Sequence, residues 1–260
     1  MAGFSGTFGI IGVGGLAEFV VEGLRHAGGD LPILLSPRGA KRAADLSKRF
    51  DCRIAPDNQA VVDQSDLVMV ATAPPDVIGC VSALKWRAGQ PLLCVAINVP
   101  LASLSHAAPA ARVLRAMPSA SAAIGLCPTP LYPPNAEAKG LLERLGPVFE
   151  VEDEAGFDAA TALAGYHLWV FGLIDVVAKA TASGGLSEGM AADMVAAHTR
   201  AAAEFVLRRS AGAPVRGPLD EHGVPGTMTA QGMGVLEEAG GLEGWRQGYE
   251  RALARLKTGC

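Results

Sequence analysis

Aromatic residues are scarce in this 260-residue chain, at 5%, with 3 Trp, 3 Tyr and 8 Phe. Charge is also sparse, at 18%, and no basic excess exists: 22 Lys and Arg face 26 Asp and Glu, a formal net charge of −4. A phosphate backbone needs clustered cations, so nucleic acid is excluded as an expected partner. The five cysteines (Cys52, Cys80, Cys94, Cys127 and Cys260) form no C-x-x-C pair. An odd, scattered set is neither a zinc spacing nor a secreted disulfide framework, so a reducing cytoplasm is the expected compartment. His26, His106, His198 and His222 have no partner at metal-ligand spacing, and no metal site is expected. The N-terminal Met1-Ala2-Gly3-Phe4 lacks a basic signal-peptide region, and no uninterrupted apolar run reaches the ~18–20 residues of a bilayer crossing. No membrane partner is therefore expected.

What is abundant is apolar and small. Half of the residues are hydrophobic, and Gly reaches 32 and Pro 17. That apolar fraction excludes disorder and supplies a substantial core. In the first half, short apolar runs alternate with amphipathic stretches: Phe8–Gly12, Leu31–Leu35, Asp66–Ala71 and Pro91–Ile97, with helices over Leu16–Ala27, Ala40–Phe50 and Asp76–Leu84. Continuous runs suit strands buried on both faces of a parallel sheet, and their alternation with helices predicts βαβ units. Arg112–Met117, Leu126–Tyr132 and Val148–Val151 add three candidate strands. From Asp153 the pattern turns helical: Ala155–Ala182, stopped by Gly184-Gly185, then Ser187–Arg209, Thr229–Ala239 and Leu242–Lys257 around a Gly/Pro-rich loop at Gly212–Gly226. The fold class expected is α/β, with an N-terminal Rossmann-type dinucleotide-binding domain (1–152) and an all-helical dimerisation and substrate domain (153–260). Ala155–Ala182 is apolar nearly all round, which predicts that it packs on another subunit.

Gly12-Val13-Gly14-Gly15-Leu16-Ala17 is a G-x-G-x-x-A directly between a strand and a helix. Gly12 permits the tight turn, Gly14 lets backbone approach a pyrophosphate, and Ala17 lets helix pack closely on strand. Gly15 and Leu16 open the helix, whose N–H groups and positive dipole end face the phosphates. At the end of the second strand an NAD enzyme places an acidic residue for the ribose. Here Leu35-Ser36-Pro37-Arg38 stands instead, and Ser36 and Arg38 suit a 2′-phosphate. NADPH is the expected cofactor, with NADH as the alternative.

With the whole order laid out, the chain resembles the pyrroline-5-carboxylate reductase family over essentially its full length. The stretches that carry the resemblance are Ile10–Glu18, Asp57-Asn58, Ser65–Ala71, Arg112–Pro118, Asp158–Gly165, and Val224–Thr229 followed by Val235–Glu238. The resemblance implies a Rossmann domain, interlocked helical domains in a homodimer or higher oligomer, and reduction of a cyclic imine to proline with NAD(P)H. It places Asn58 near the cofactor ribose, Ala71, Thr72, Ala73 and Pro74 along the nicotinamide side, and Met117-Pro118 on the strand approaching the nicotinamide. It sets Thr229 against the substrate nitrogen and the backbone of Gly226, Thr227 and Met228 against the substrate carboxylate.

The departures fall in the substrate half. The family runs Ser-Gly-Ser-Gly-Pro-Ala where this chain has Ala164-Gly165-Tyr166-His167-Leu168-Trp169. Ser119-Ala120-Ser121 replaces Asn-Thr-Pro, Ala73-Pro74 replaces Lys-Pro, and Thr227-Met228 alters the last turn. These changes predict a small imino acid reductase with an altered pocket. A protonated imine needs little beyond positioning, but an unprotonated imine or a ketone needs a proton donor. His167 and Tyr166 are the candidates, alongside Thr229. The alternatives are a carbonyl or β-hydroxyacid-type oxidoreductase and a non-catalytic nucleotide-binding dimer.

Overall fold

The computed structural model describes residues 4–210, 212–215 and 224–258. His222, with Asp220 and Glu221 beside it, and Cys260 lie outside the described residues. The chain divides into two compact units, one running to Ala164 and taking in the chain from Arg255, the other Gly165–Ala254.

The first unit is built on a sheet of β1 (Phe8–Ile11), β2 (Ile33–Leu35), β3 (Arg53–Ile54), β4 (Leu67–Val70), β5 (Pro91–Cys94), β6 (Arg112–Ala116), β7 (Thr129–Tyr132) and β8 (Val148–Glu150). The strand order is β3-β2-β1-β4-β5-β6-β7-β8, with the direction of winding reversing between β1 and β4. Helices α1 (Gly15–His26), α2 (Ala40–Phe50), α3 (Asn58–Gln64), α4 (Pro74–Ser82), α5 (Leu101–Ala107), α6 (Ala136–Leu142) and α7 (Glu154–Ala162) connect or follow the strands. Every residue of β1, β2, β4 and β5 is buried, as continuous apolar strands between two helical layers require. One core cluster joins Ile10, Leu35, Met69 and Leu93 to α1 and α2; the other joins Ile11, Val70, Val77 and Cys94 to α3, α4 and α5.

The sheet is parallel except at β7, which runs antiparallel to β6 with Ala116 opposite Leu131. Only residues 117–128 link the two strands, holding a 3-10 turn at Ala120–Ile124 and no crossover helix, and a parallel return needs such a crossover. The expected strand list also lacked β3, whose residues Arg53 and Ile54 are both exposed and too few to show a period. Among the described residues Cys52, Cys80, Cys94 and Cys127 are free thiols. Burial pushes the Cys52, Cys80 and Cys94 thiols above their ordinary range.

The second unit consists of α8 (Tyr166–Ser183), α9 (Glu188–Arg208), α10 (Met228–Glu238) and most of α11 (Gly241–Thr258). Ser187 caps α9 by accepting from the Met190 N–H at 3.3 Å. The single helix expected over Ala155–Ala182 is corrected: a 3-10 turn at Leu163–Gly165 separates α7 from α8. Glu154–Ser183, counted through that turn, is long and apolar enough to cross a membrane by length and composition only, although Asp175 and Lys179 interrupt its apolar run.

Candidate functional site

The sheet's switch point, between the C-terminal ends of β1 and β4, is where an open α/β sheet leaves a crevice for a ligand. Ile11 pairs with Val70, so the residues that follow, Gly12 and Ala71, are forced side by side. Gly12 adopts φ +94°, and a Cβ there would sit 2.6 Å from the Ala71 carbonyl carbon and 2.7 Å from the Thr72 nitrogen. Glycine is thus required twice, by conformation and by space. The Gly14 N–H closes the tight turn on the Gly12 carbonyl at 3.0 Å, and Gly14 then caps α1 without a side chain. Around Gly14 and Gly15 the space a Cβ would take is open. A narrow turn below and free room above the start of α1 is the cradle a pyrophosphate needs, with unspent N–H groups from Gly15 and Leu16 on its floor. The residues present fit a dinucleotide.

Ser36 follows β2 directly. It is fully buried, and its Oγ accepts from the Gly12 N–H at 3.1 Å. The hydroxyl therefore braces the glycine turn from beneath as an acceptor, and its own O–H remains to donate. Arg38 remains for the charge of a phosphate: its side chain is 77% exposed, and its contact with Asp76 is a loose 3.8 Å. Asn58 begins α3, after Asp57 caps the helix through the Ala60 N–H, and its amide donates to Cys80 Sγ at 3.7 Å. Burial raises the Cys80 thiol while the positive Arg38 pulls it down, so Asn58, Cys80 and Arg38 lie in one neighbourhood. Ala71, Thr72, Ala73 and Pro74 form the link from β4 to α4, with Pro74 in the first turn. The Thr72 hydroxyl is shielded from solvent and has no hydrogen-bond partner, a vacancy that a polar ligand at this edge would fill.

Glu18, in the first turn of α1, pairs with Arg42 at 3.0 Å and Arg49 at 3.2 Å, and so ties α1 to α2. His26 meets the Ala123 carbonyl through Nδ1 at 2.9 Å, fastening the 3-10 turn to α1. Sequence reasoning missed a further cluster. Arg115 in β6 is almost wholly buried against Glu154 at 2.6 Å and Asp158 at 3.6 Å, with its guanidinium 4.4 Å over the Phe157 ring. The signal available was a second arginine, Arg115, following the apolar Val113-Leu114 of the strand.

In the second unit, Tyr166 and His167 begin α8. Tyr166, Trp169 and Trp245 pack mutually, with ring centroids 5.7–6.3 Å apart. Tyr166 is therefore held in an aromatic cluster, and His167 beside it is half-buried. A shallow notch of about 290 Å³ borders this cluster, walled by Trp169, Trp245, Gly241, Gly244 and Gly248. Gly226 takes φ +86° before α10. Thr227 caps that helix, donating to the Val224 carbonyl at 2.8 Å and accepting from the Ala230 N–H at 3.3 Å. Its hydroxyl is thereby committed, while Met228 and Thr229 stand exposed in the first turn, where helix N–H groups lack helical partners.

Residues 7–98 match the family described as NADP oxidoreductase, coenzyme F420-dependent, and residues 154–258 match pyrroline-5-carboxylate reductase dimerisation. The chain is similar to the pyrroline-5-carboxylate reductase of Synechocystis, at 27% identity over 94% of this chain and 96% of that protein. It is equally similar to the one of Methanosarcina acetivorans, at 27% over 96% of each. The fold is shared with the 1-pyrroline-5-carboxylate reductase of Streptococcus pyogenes, at a TM-score of 0.82 and 24% identity over 97% of this chain and 98% of that one. It is shared also with the NADP-bound pyrroline carboxylate reductase of Plasmodium falciparum, at a TM-score of 0.84 and 18% identity over 98% and 99%.

Proposed function

This chain belongs to the pyrroline-5-carboxylate reductase family, and from that premise we propose that it is an NADPH-dependent reductase of a small imino acid, with a substrate pocket altered from the family's. The observation that carries the reading is coextensive similarity: relatives named pyrroline-5-carboxylate reductase match this chain from end to end, through both the dinucleotide half and the helical half. The braced Gly12 turn and the open room at Gly14 and Gly15 support the cofactor part.

Bound NADPH would supply the hydride that reduces the C=N carbon, and the nitrogen takes a proton. The chain's own part is to bind and orient. The Gly12–Leu16 turn holds the pyrophosphate, Arg38 the 2′-phosphate, and Asn58 the ribose. Arg38 favours NADPH over NADH because a guanidinium fork answers a phosphate dianion and gains little from a hydroxyl. Backbone N–H groups at Gly226, Thr227 and Met228 hold the substrate carboxylate, and the Thr229 hydroxyl holds the substrate nitrogen. In this reading the unit formed by α8 to α11 acts as part of a homodimer or higher homo-oligomer, a reading supported by its match to a dimerisation family.

The test is a titration with NADPH followed by turnover with 1-pyrroline-5-carboxylate and a panel of other imino acids. NADPH oxidation with at least one of them is expected; binding without oxidation of any would leave only a nucleotide-binding dimer. The half-buried imidazole of His167 favours a second reading, reduction of a ketone, for which it would donate the proton. His167→Asn should then abolish ketone turnover while sparing a protonated imine.

A further inference from the structure

One oxygen in the sheet-bearing unit does two tasks. Glu154 Oε1 accepts from the Leu101 N–H at 2.8 Å and from Arg115 Nη1 at 2.6 Å. Leu101 opens α5, whose cap residue is Pro100 and which has no side-chain cap of its own. Glu154 therefore supplies that cap from 53 residues away. Arg115 is the last residue but one of β6, its side chain 4% exposed, with its Nε lacking any partner. A buried guanidinium holds its place only while paired, and here Glu154, Asp158 and the Phe157 ring pair it. The two segments joined through this oxygen are residues 95–100, which follow β5 and include Asn98 at φ +57°, and the end of β6, which leads into Met117-Pro118. Both lie at the C-terminal edge of the same sheet whose β1 and β4 ends carry the dinucleotide turn.

We propose that Glu154 is a positioning residue for the reduction. It fixes residues 95–100 and Met117-Pro118 relative to one another at the C-terminal edge, and so fixes the floor on which the reacting ring of the cofactor lies. The inference rests on the reductase reading. It differs from a plain structural role because the charge pair and the helix cap are separable. In Arg115→Met/Glu154→Leu both partners of the short pair go together, which leaves only the partly exposed Asp158 without its more distant partner and strips the cap from α5. In Glu154→Gln the amide oxygen still accepts from Leu101 while the charge facing Arg115 is lost.

The experiment compares the full-length protein with both variants for thermal midpoint, NADPH affinity, kcat and KM. NADPH affinity should stay within about 3-fold of wild type, because the pyrophosphate turn on β1 is untouched, while kcat falls roughly 10- to 100-fold in the double variant and less in Glu154→Gln. A double variant that folds and turns over with wild-type kcat would overturn the proposal. Should the double variant not fold, unchanged kcat in Glu154→Gln would overturn it, and a lowered kcat with unchanged NADPH affinity would support it. Should the wild type reduce no imino acid, the reductase reading fails separately. The fluorescence of bound NADPH then decides: an emission changed by the variants supports positioning, and identical emission overturns it.

Discussion

In the sheet-bearing unit, Ile10, Leu35, Leu67, Met69 and Leu93 are each buried to within 1% of complete, and strands are walled on both sides by their own helices. In Gly165–Ala254, by contrast, the buried apolar residues among those described are Ala178 and Ala191, while Leu168, Phe171, Val176, Met190, Phe205 and Leu207 stand exposed. Lack of apolar residues does not explain this, for α8 itself carries Leu168, Val170, Phe171, Leu173, Ile174, Val176 and Val177. The difference is one of closure. A sheet with crossover helices buries its faces within one chain, whereas a few long helices present more apolar surface than they can cover among themselves. A patch of this kind marks an interaction surface. The first unit thus closes on itself, whereas the second, which matches the dimerisation family, keeps an apolar face exposed.

The sharpest way to break the complete half is at Gly12. Gly12→Val forces a branched side chain into the Ala71–Thr72 backbone at a positive φ, and NADPH affinity in a fluorescence titration should fall by about 100-fold or more, equivalent to about 2.7 kcal/mol. The incomplete half should break at its exposed face. Phe171→Asp, entering a two-fold interface twice, should raise the dimer dissociation constant by about 10- to 100-fold in analytical ultracentrifugation, while leaving NADPH binding by the first unit in place. Next comes Arg38→Ala, which should weaken NADPH roughly 10-fold and leave NADH nearly unchanged, since the lost contact is charge-assisted.

The smallest effect concerns pH. On α11, hydrogen bonding from Arg246, with a second from Gln247, holds the Glu243 carboxyl down from 4.5 to about 2. A depressed carboxyl contributes stability that is present above its unfolded pKa and lost as pH falls from 4.5 through about 2. The group is fully exposed, so solvent screens it and the shift in thermal midpoint should be slight. Glu243→Gln should remove even that dependence.

Much of the first unit is legible in the sequence because its signals are local. Uninterrupted runs such as Leu67–Val70 announce buried strands, the charged periodicity of Ala40–Phe50 gives α2 its bounds, and Gly12-x-Gly14 stands between strand and helix. What escaped depends on distant partners. The role of Ser36 is set by the Gly12 N–H, 24 residues away, which no local pattern records. The direction of β7 follows from the reach of a short connection, and the knot at Arg115 follows from carboxylates that arrive only with α7. Helices α3, α5 and α6 have 7 residues each, too few for a helical period to declare itself. The aromatic cluster of Tyr166, Trp169 and Trp245 could be half anticipated, since Tyr166 and Trp169 stand out against so few aromatics, but Trp245 joins them from a helix 76 residues on from Trp169.

Whether one half closes alone while the other is completed by a second copy is read most directly from molar mass in solution. Light scattering over a dilution series should give at least twice the mass of one chain at every concentration above the dissociation constant. A mass of one chain at all concentrations, with the NADPH site intact, would contradict completion by a second copy.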